Sequence, residues 1–128
     1  MEYVALTDVG MKRHNNEDSY IVNVTDKDKI FIVADGMGGH NAGEIASLEA
    51  CRITESYILE QEGDIESVLR EGVCKANRDI YVRAAENPSL KGMGTTIDVC
   101  VLRDNKLYIA HVGDSRVYIV GNDGIRRI

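Results

Sequence analysis

The chain has 128 residues, of which 28% are charged and 44% hydrophobic, enough for one globular domain with a real core and too apolar for a disordered segment. A net charge of -6 argues against nucleic acid or an anionic membrane surface as the main partner, yet it leaves phosphorylated substrates open, because local charge at a site outweighs the total. The apolar runs fall far short of a membrane span, and Met1-Glu2-Tyr3-Val4 lacks the basic start and apolar core of a signal peptide. Three cysteines without a CxxC spacing read as buried free thiols, and a cytoplasmic protein is expected.

In chain order, Tyr3 to Thr7 is apolar enough for a strand, and Asp8-Val9-Gly10 ends it. Lys12 to Asp18 is polar. Ser19 to Val24 and Ile30 to Ala34 read as two strands, and the short polar turn from Thr25 to Lys29 makes them an antiparallel hairpin. The period then changes to about 3.6. A helix is expected over 44–60, with Ala46, Ala50, Ile53 and Tyr57 on one face and Ile45, Leu48 and Cys51 beside it. Asp64 is an N-cap for a second helix with the stripe Ile65, Val68, Leu69, Val73, Ala76, Ile80 and Ala84, which Asn87-Pro88 closes. Strands follow over Thr95 to Leu102, Lys106 to Val112 and Arg116 to Val120, with turns at Asp104-Asn105 and Gly113-Asp114-Ser115. Asn122-Asp123-Gly124 is a hairpin signal before a last strand beginning at Ile125. Strands, two helices, then strands describe an α+β fold with antiparallel sheets and helices on one side. His111 and the tyrosines read as core, and Thr95 and Thr96 as strand formers.

Four polar clusters fall at strand ends or turns, where a scaffold displays functional groups. They are Arg13 to Asp18, Asp35-Gly36-Met37-Gly38-Gly39-His40, Gly92 to Thr96, and Gly113 to Arg116. An apolar run that stops at Asp35 before a glycine-rich bend sets a carboxylate at the mouth of a core, where a hard divalent cation compensates it. The glycines let main-chain atoms approach. The plainer reading of Asp35 is a turn acid, of Arg13 a solvated surface group, of Asp18 a loop cap, of Asp114 a turn residue and of His40 a helix-start residue. Two known phosphate loops are excluded: Glu44-Ile45 stands where a Walker loop needs Lys-Ser/Thr, and Asn41 replaces the third glycine of a dinucleotide fingerprint.

Arg-x-x-Asn-x-Asp, Asp-Gly-Met-Gly-Gly, Gly-Thr-Thr and Gly-Asp-Ser-Arg in this order resemble the N-terminal half of a bacterial type 2C metal-dependent serine/threonine protein phosphatase, from Ala5 to Ile128. The resemblance implies two antiparallel sheets stacked as a sandwich with helix pairs outside, and two Mg²⁺ or Mn²⁺ ions at one end. It implies that Asp35 bridges both metals, that the Gly36 carbonyl ligates one, and that Asp18, beside Glu17, supports the site. Arg13 would grip the substrate phosphate, and Asp114 would help hold a third, weaker metal. Two cations sharing a carboxylate acidify water for in-line attack at phosphorus, and a guanidinium stays charged at any working pH. The implied substrates are phosphoserine and phosphothreonine in proteins, such as the targets of bacterial serine/threonine kinases.

Two departures stand out. Met37 occupies the position where some relatives carry a candidate general-acid histidine, which leaves His40 or metal-held water for that role. The remaining metal-binding aspartates of the family lie in a C-terminal half that this sequence does not contain. Residues 1–128 therefore read as a partial domain, expected to hydrolyse p-nitrophenyl phosphate poorly. The alternative is a non-catalytic fragment or pseudo-phosphatase with an incomplete metal site. Uncovered strand edges and apolar faces further suggest self-association.

Overall fold

The computed structural model describes residues 1–38 and 42–128. Its elements are β1 (Asp18–Val24), β2 (Lys29–Met37), α1 (Ala42–Glu60), α2 (Ile65–Glu86), a 3-10 turn (Pro88–Leu90), β3 (Gly94–Thr95), β4 (Ile97–Arg103), β5 (Lys106–Val112), β6 (Tyr118–Gly121) and β7 (Gly124–Arg127). Strands β1-β2-β4-β5 form an antiparallel sheet in that order, with β3 also paired to β2. Alternation along the central strands buries Ile30, Ile32, Ala34, Val99 and Val101 on one face. The helix pair covers that face: Ala46, Ala50, Cys51 and Ile58 of α1 and Ile65, Val68, Leu69, Ala76 and Ile80 of α2 complete the core. The α+β architecture of antiparallel sheet and helix pair is the expected one.

Local chemistry sets the boundaries. Asp64 caps α2 by accepting from the Ser67 N–H at 2.9 Å, and that bond holds its carboxyl below the ordinary value. Asp104 and Asn105 both take positive φ (50° and 59°), the two-residue turn whose twist matches a hairpin. In the β1–β2 turn, Thr25 and Asp28 bond each other's backbone, which frees the Asp28 carboxylate to grip Arg103 at the end of β4 with two bonds of 2.5 and 2.7 Å. Both side chains are largely buried. The hydrogen bond from Arg103, opposed by desolvation, holds the Asp28 carboxyl below its ordinary value.

Several expectations change. Tyr3 to Thr7 is not a strand: it pairs with no ladder and is largely exposed, touching the sheet through the Tyr3 ring on Phe31 at 5.9 Å. Strand propensity without a partner ladder leaves backbone groups to water. Strand β6 does not continue the sheet beside β5 but pairs with β7, so that among the described residues a second sheet exists only as this two-stranded ribbon. The buried seam of α1 runs through Ser47 and Thr54, while Leu48 is exposed and Ile53 only half-buried. Small side chains suit a helix lying close on a sheet. Cys74 is exposed on α2, Cys100 half-buried, and Cys51 fully buried with its thiol pushed up to about 12 by desolvation. Tyr3, Tyr20, Tyr81 and Tyr118 are exposed rather than core, and His111 lies on the edge strand with its Nδ1 against Asp98.

The Asp28–Arg103 pair gives a direct test. Removing one partner strands a buried charge, so Arg103→Ala should destabilise the fold by about 3 kcal/mol in a urea titration. Because the folded Asp28 pKa is lowered, its contribution is present above the unfolded carboxylate pKa of about 3.9 and is lost as pH falls through the folded value. Wild-type stability should therefore drop below about pH 4 more steeply than that of Arg103→Ala.

Candidate functional site

The expected site residues gather where β1 begins and β2 ends. The register sets Asp18 directly opposite Asp35, two residues of like charge side by side on one sheet face. Desolvation first, and then the Asp35 charge, raise the Asp18 carboxyl above its ordinary value. Such a pair is costly unless a proton or a cation intervenes.

The backbone around Asp35 is held from three sides. Its N–H donates to Thr96 Oγ1 at 3.0 Å, and its carbonyl accepts from the Thr96 N–H at 2.9 Å and from the Thr95 hydroxyl at 3.0 Å. The next N–H, that of Gly36, donates to the Glu17 carbonyl at 3.1 Å. The same carbonyl accepts from the Ser47 hydroxyl of α1 at 2.6 Å, and Ser47 Oγ lies 2.9 Å from Ser19 Oγ. A Cβ on Gly36 would come within 2.1 Å of the Gly43 carbonyl oxygen, and one on Gly43 within 2.7 Å of Glu17 Oε1. Two glycines are thus what let the start of α1 press against the strand that carries the acid.

Thr96 also reaches Ser115, Oγ to Oγ at 2.8 Å, which ties the loop of Gly113 (φ +115°) and Asp114 back to the sheet. An open cleft of about 470 Å³ results, lined by Arg13, Glu17, Asp35, Gly36, Thr96 and Asp114 among others. Arg13 is mostly exposed and lies 3.3 Å from Glu17 Oε2. Arg13, Glu17 and Asp35 also border a smaller hollow of about 180 Å³ that contains Asp18 and Asp8. The structure thus brings Arg13, Asp35, Gly36 and Asp114 to one cleft and Asp18 to its margin. His40 lies outside the described residues.

The donor set is all oxygen: carboxylates of Asp18, Asp35 and Asp114, and the Gly36 carbonyl. That set suits Mg²⁺ or Mn²⁺ and not a soft metal. Among the described residues, however, no group of three or more His, Cys, Asp or Glu side chains converges closely enough to hold a metal alone. Sequence reasoning missed the clamp by Thr95 and Thr96 on the Asp35 backbone, and the anchoring of the Glu17 carbonyl by Ser47. Their only signal was hydroxyl residues next to glycine-rich turns.

Comparison with known proteins places these features in context. The model of the protein phosphatase 2C family matches residues 5–128. The serine/threonine phosphatase stp of Listeria innocua is 40% identical over 128 residues, covering 95% of this chain and 51% of its own length. Protein phosphatase PhpP of Streptococcus pneumoniae is 39% identical, with 94% and 50% covered. The crystal structure of phosphatase Stp1 from Staphylococcus aureus superposes with a TM-score of 0.86 at 34% identity, over 96% of this chain and 50% of that one. The catalytic domain of the phosphatase PstP, solved with two manganese ions, gives 0.83 at 34% identity, with 94% and 51% covered. The chain spans about half the length of the Listeria and Streptococcus relatives.

Two substitutions separate support of the site from support of the fold. Gly36→Ala drives a methyl into the Gly43 backbone and should cost about 3 kcal/mol in thermal denaturation. Thr96→Val removes the acceptor of the Asp35 N–H and the link to Ser115, and should cost about 1–2 kcal/mol. Hydrogen exchange at the Asp35 amide should speed up in Thr96→Val, while exchange in the centre of α1 changes little.

Proposed function

Because the chain belongs to the protein phosphatase 2C family, we propose that it supplies the acid half of a site that hydrolyses phosphoserine and phosphothreonine in proteins. The observation that carries this reading is the cross-strand pair Asp18–Asp35, with Arg13 bordering both recesses that Asp35 lines and Asp114 bordering the larger one. Asp35 would hold two Mn²⁺ or Mg²⁺ ions with the Gly36 carbonyl, Asp18 would support them, and Asp114 would contribute to a third. Divalent ions so bound lower the pKa of water and offset charge at phosphorus.

The residues of the chain itself divide the remaining work. Arg13 offers a planar donor fork to phosphate oxygens, and its exposure leaves it free to swing from Glu17 onto a substrate. Glu17, packed against Gly43, limits where that guanidinium can go. Thr95 and Thr96 fix the Asp35 backbone, which sets the point from which its carboxylate reaches into the cleft. The cleft is open to water, which suits direct hydrolysis at phosphorus. Proteins phosphorylated by bacterial serine/threonine kinases are the proposed substrates, and residues 1–128 one part of a larger type 2C domain.

A second reading has its own support. The missing convergence of three metal-ligating side chains among the described residues favours a fragment that keeps the fold and binds metal incompletely. The two readings part on turnover. With a phosphothreonine peptide and saturating Mn²⁺, the chain should release inorganic phosphate slowly. Asp35→Asn should abolish that release, and Arg13→Ala should reduce it about a hundredfold. A rise in melting temperature with Mn²⁺ that Asp35→Asn removes, without any phosphate release, would establish the non-catalytic reading.

A further inference from the structure

Beside the acid cleft lies a second recess of different chemistry. An apolar pocket of about 230 Å³ opens between α2, β3 and the end of β5. Its floor is made of Ala76, Ile80 and Met93, all buried, and none of the residues lining it is charged. Its rim includes Met37 and Tyr81, which remain 66% and 74% exposed. Large apolar side chains left open around a buried apolar floor mark a place where one more apolar group gains burial, with Asn77 and Thr95 the polar residues of the lining.

Met37 connects this pocket with the site. It borders the acid cleft as well as the apolar pocket, two positions after Asp35 in β2, about 7 Å along a strand. The geometry at Gly94 shows how Met37 comes to lie there: a Cβ on Gly94 would be 2.9 Å from the Met37 Cε, so the thioether extends across the bare glycine between the two recesses. The pocket volume suits one side chain and excludes a helix. Resting on the reading that the cleft takes a phosphorylated residue, we propose that the Met37–Tyr81 pocket receives a leucine-, methionine- or phenylalanine-sized side chain about two residues from the phosphorylated one on the same peptide. Specificity would then come from an apolar neighbour and not from a charged one, consistent with an uncharged lining beside an acid-rich cleft.

The test uses the 128-residue chain with Mn²⁺ and two phosphothreonine peptides that differ only by Leu or Ser two positions away, on either side of the phosphothreonine. Binding is read with ¹³C-methyl-labelled methionines. Of the four methionines, Met37 and Met93 should shift with the leucine peptide, while Met1 and Met11 stay in place. The leucine peptide should bind about tenfold more tightly than the serine peptide. Tyr81→Ser, an exposed position on α2, should erase that ratio, and Tyr81→Phe should retain it. Equal binding of the two peptides, or a preference that Tyr81→Ser leaves intact, overturns the pocket while the phosphatase reading stands. A leucine preference that persists at equal strength in peptides without phosphate keeps the pocket and overturns the phosphate reading. Binding of neither peptide overturns both.

Discussion

Two carboxylates on adjacent strands, Asp18 and Asp35, stand in direct register, and the rest of the site is arranged around them. Nothing in a sheet requires Asp18 to face Asp35, and like charges at that spacing weaken strand pairing. Desolvation, and then the neighbouring Asp35 charge, raise the Asp18 carboxyl above its ordinary value. The proposed function gives this costly pair a role, as part of an all-oxygen recess with Arg13 at its edge.

The rest of the fold holds that pair in place. The apolar alternation of β2 and β4 fixes the face on which Asp35 emerges, and two hydroxyls from the β3–β4 junction clamp its backbone. Gly36 and Gly43 allow α1 to come within contact of the strand end, and Ser47 ties the helix to the Glu17 carbonyl beside the acids. At the opposite end of the sheet, the buried Asp28–Arg103 pair locks the β1–β2 turn onto β4. The register that aligns Asp18 with Asp35 is thus secured from both ends.

Much of this was legible in the residues. The change from period two to 3.6 located both helices, Asp64 and Asn87 marked the ends of the second, and Asp104-Asn105 and Asn122-Asp123-Gly124 marked the hairpins. Arg13, Asp18, Asp35, Gly36 and Asp114 lie in polar clusters at strand ends or turns and form one group through the resemblance to the type 2C pattern, and the structure brings them to one cleft and its margin. What stayed hidden depended on long-range partners. Tyr3 to Thr7 has strand composition but no ladder to join, and the loop between β5 and β6 carries the Thr96–Ser115 bond and the positive φ of Gly113 where the sequence predicts a tight turn. The exposed tyrosines and the polar seam of α1 reflect packing distances that periodicity does not encode.

On the proposed function, the Asp18–Asp35 pair holds divalent cations. Anomalous diffraction from crystals soaked in Mn²⁺ tests it most directly. A manganese peak bonded to the Asp35 carboxylate, absent in Asp35→Asn crystals, is the expected result. Strong manganese peaks elsewhere on the molecule, with none at Asp35, would contradict it.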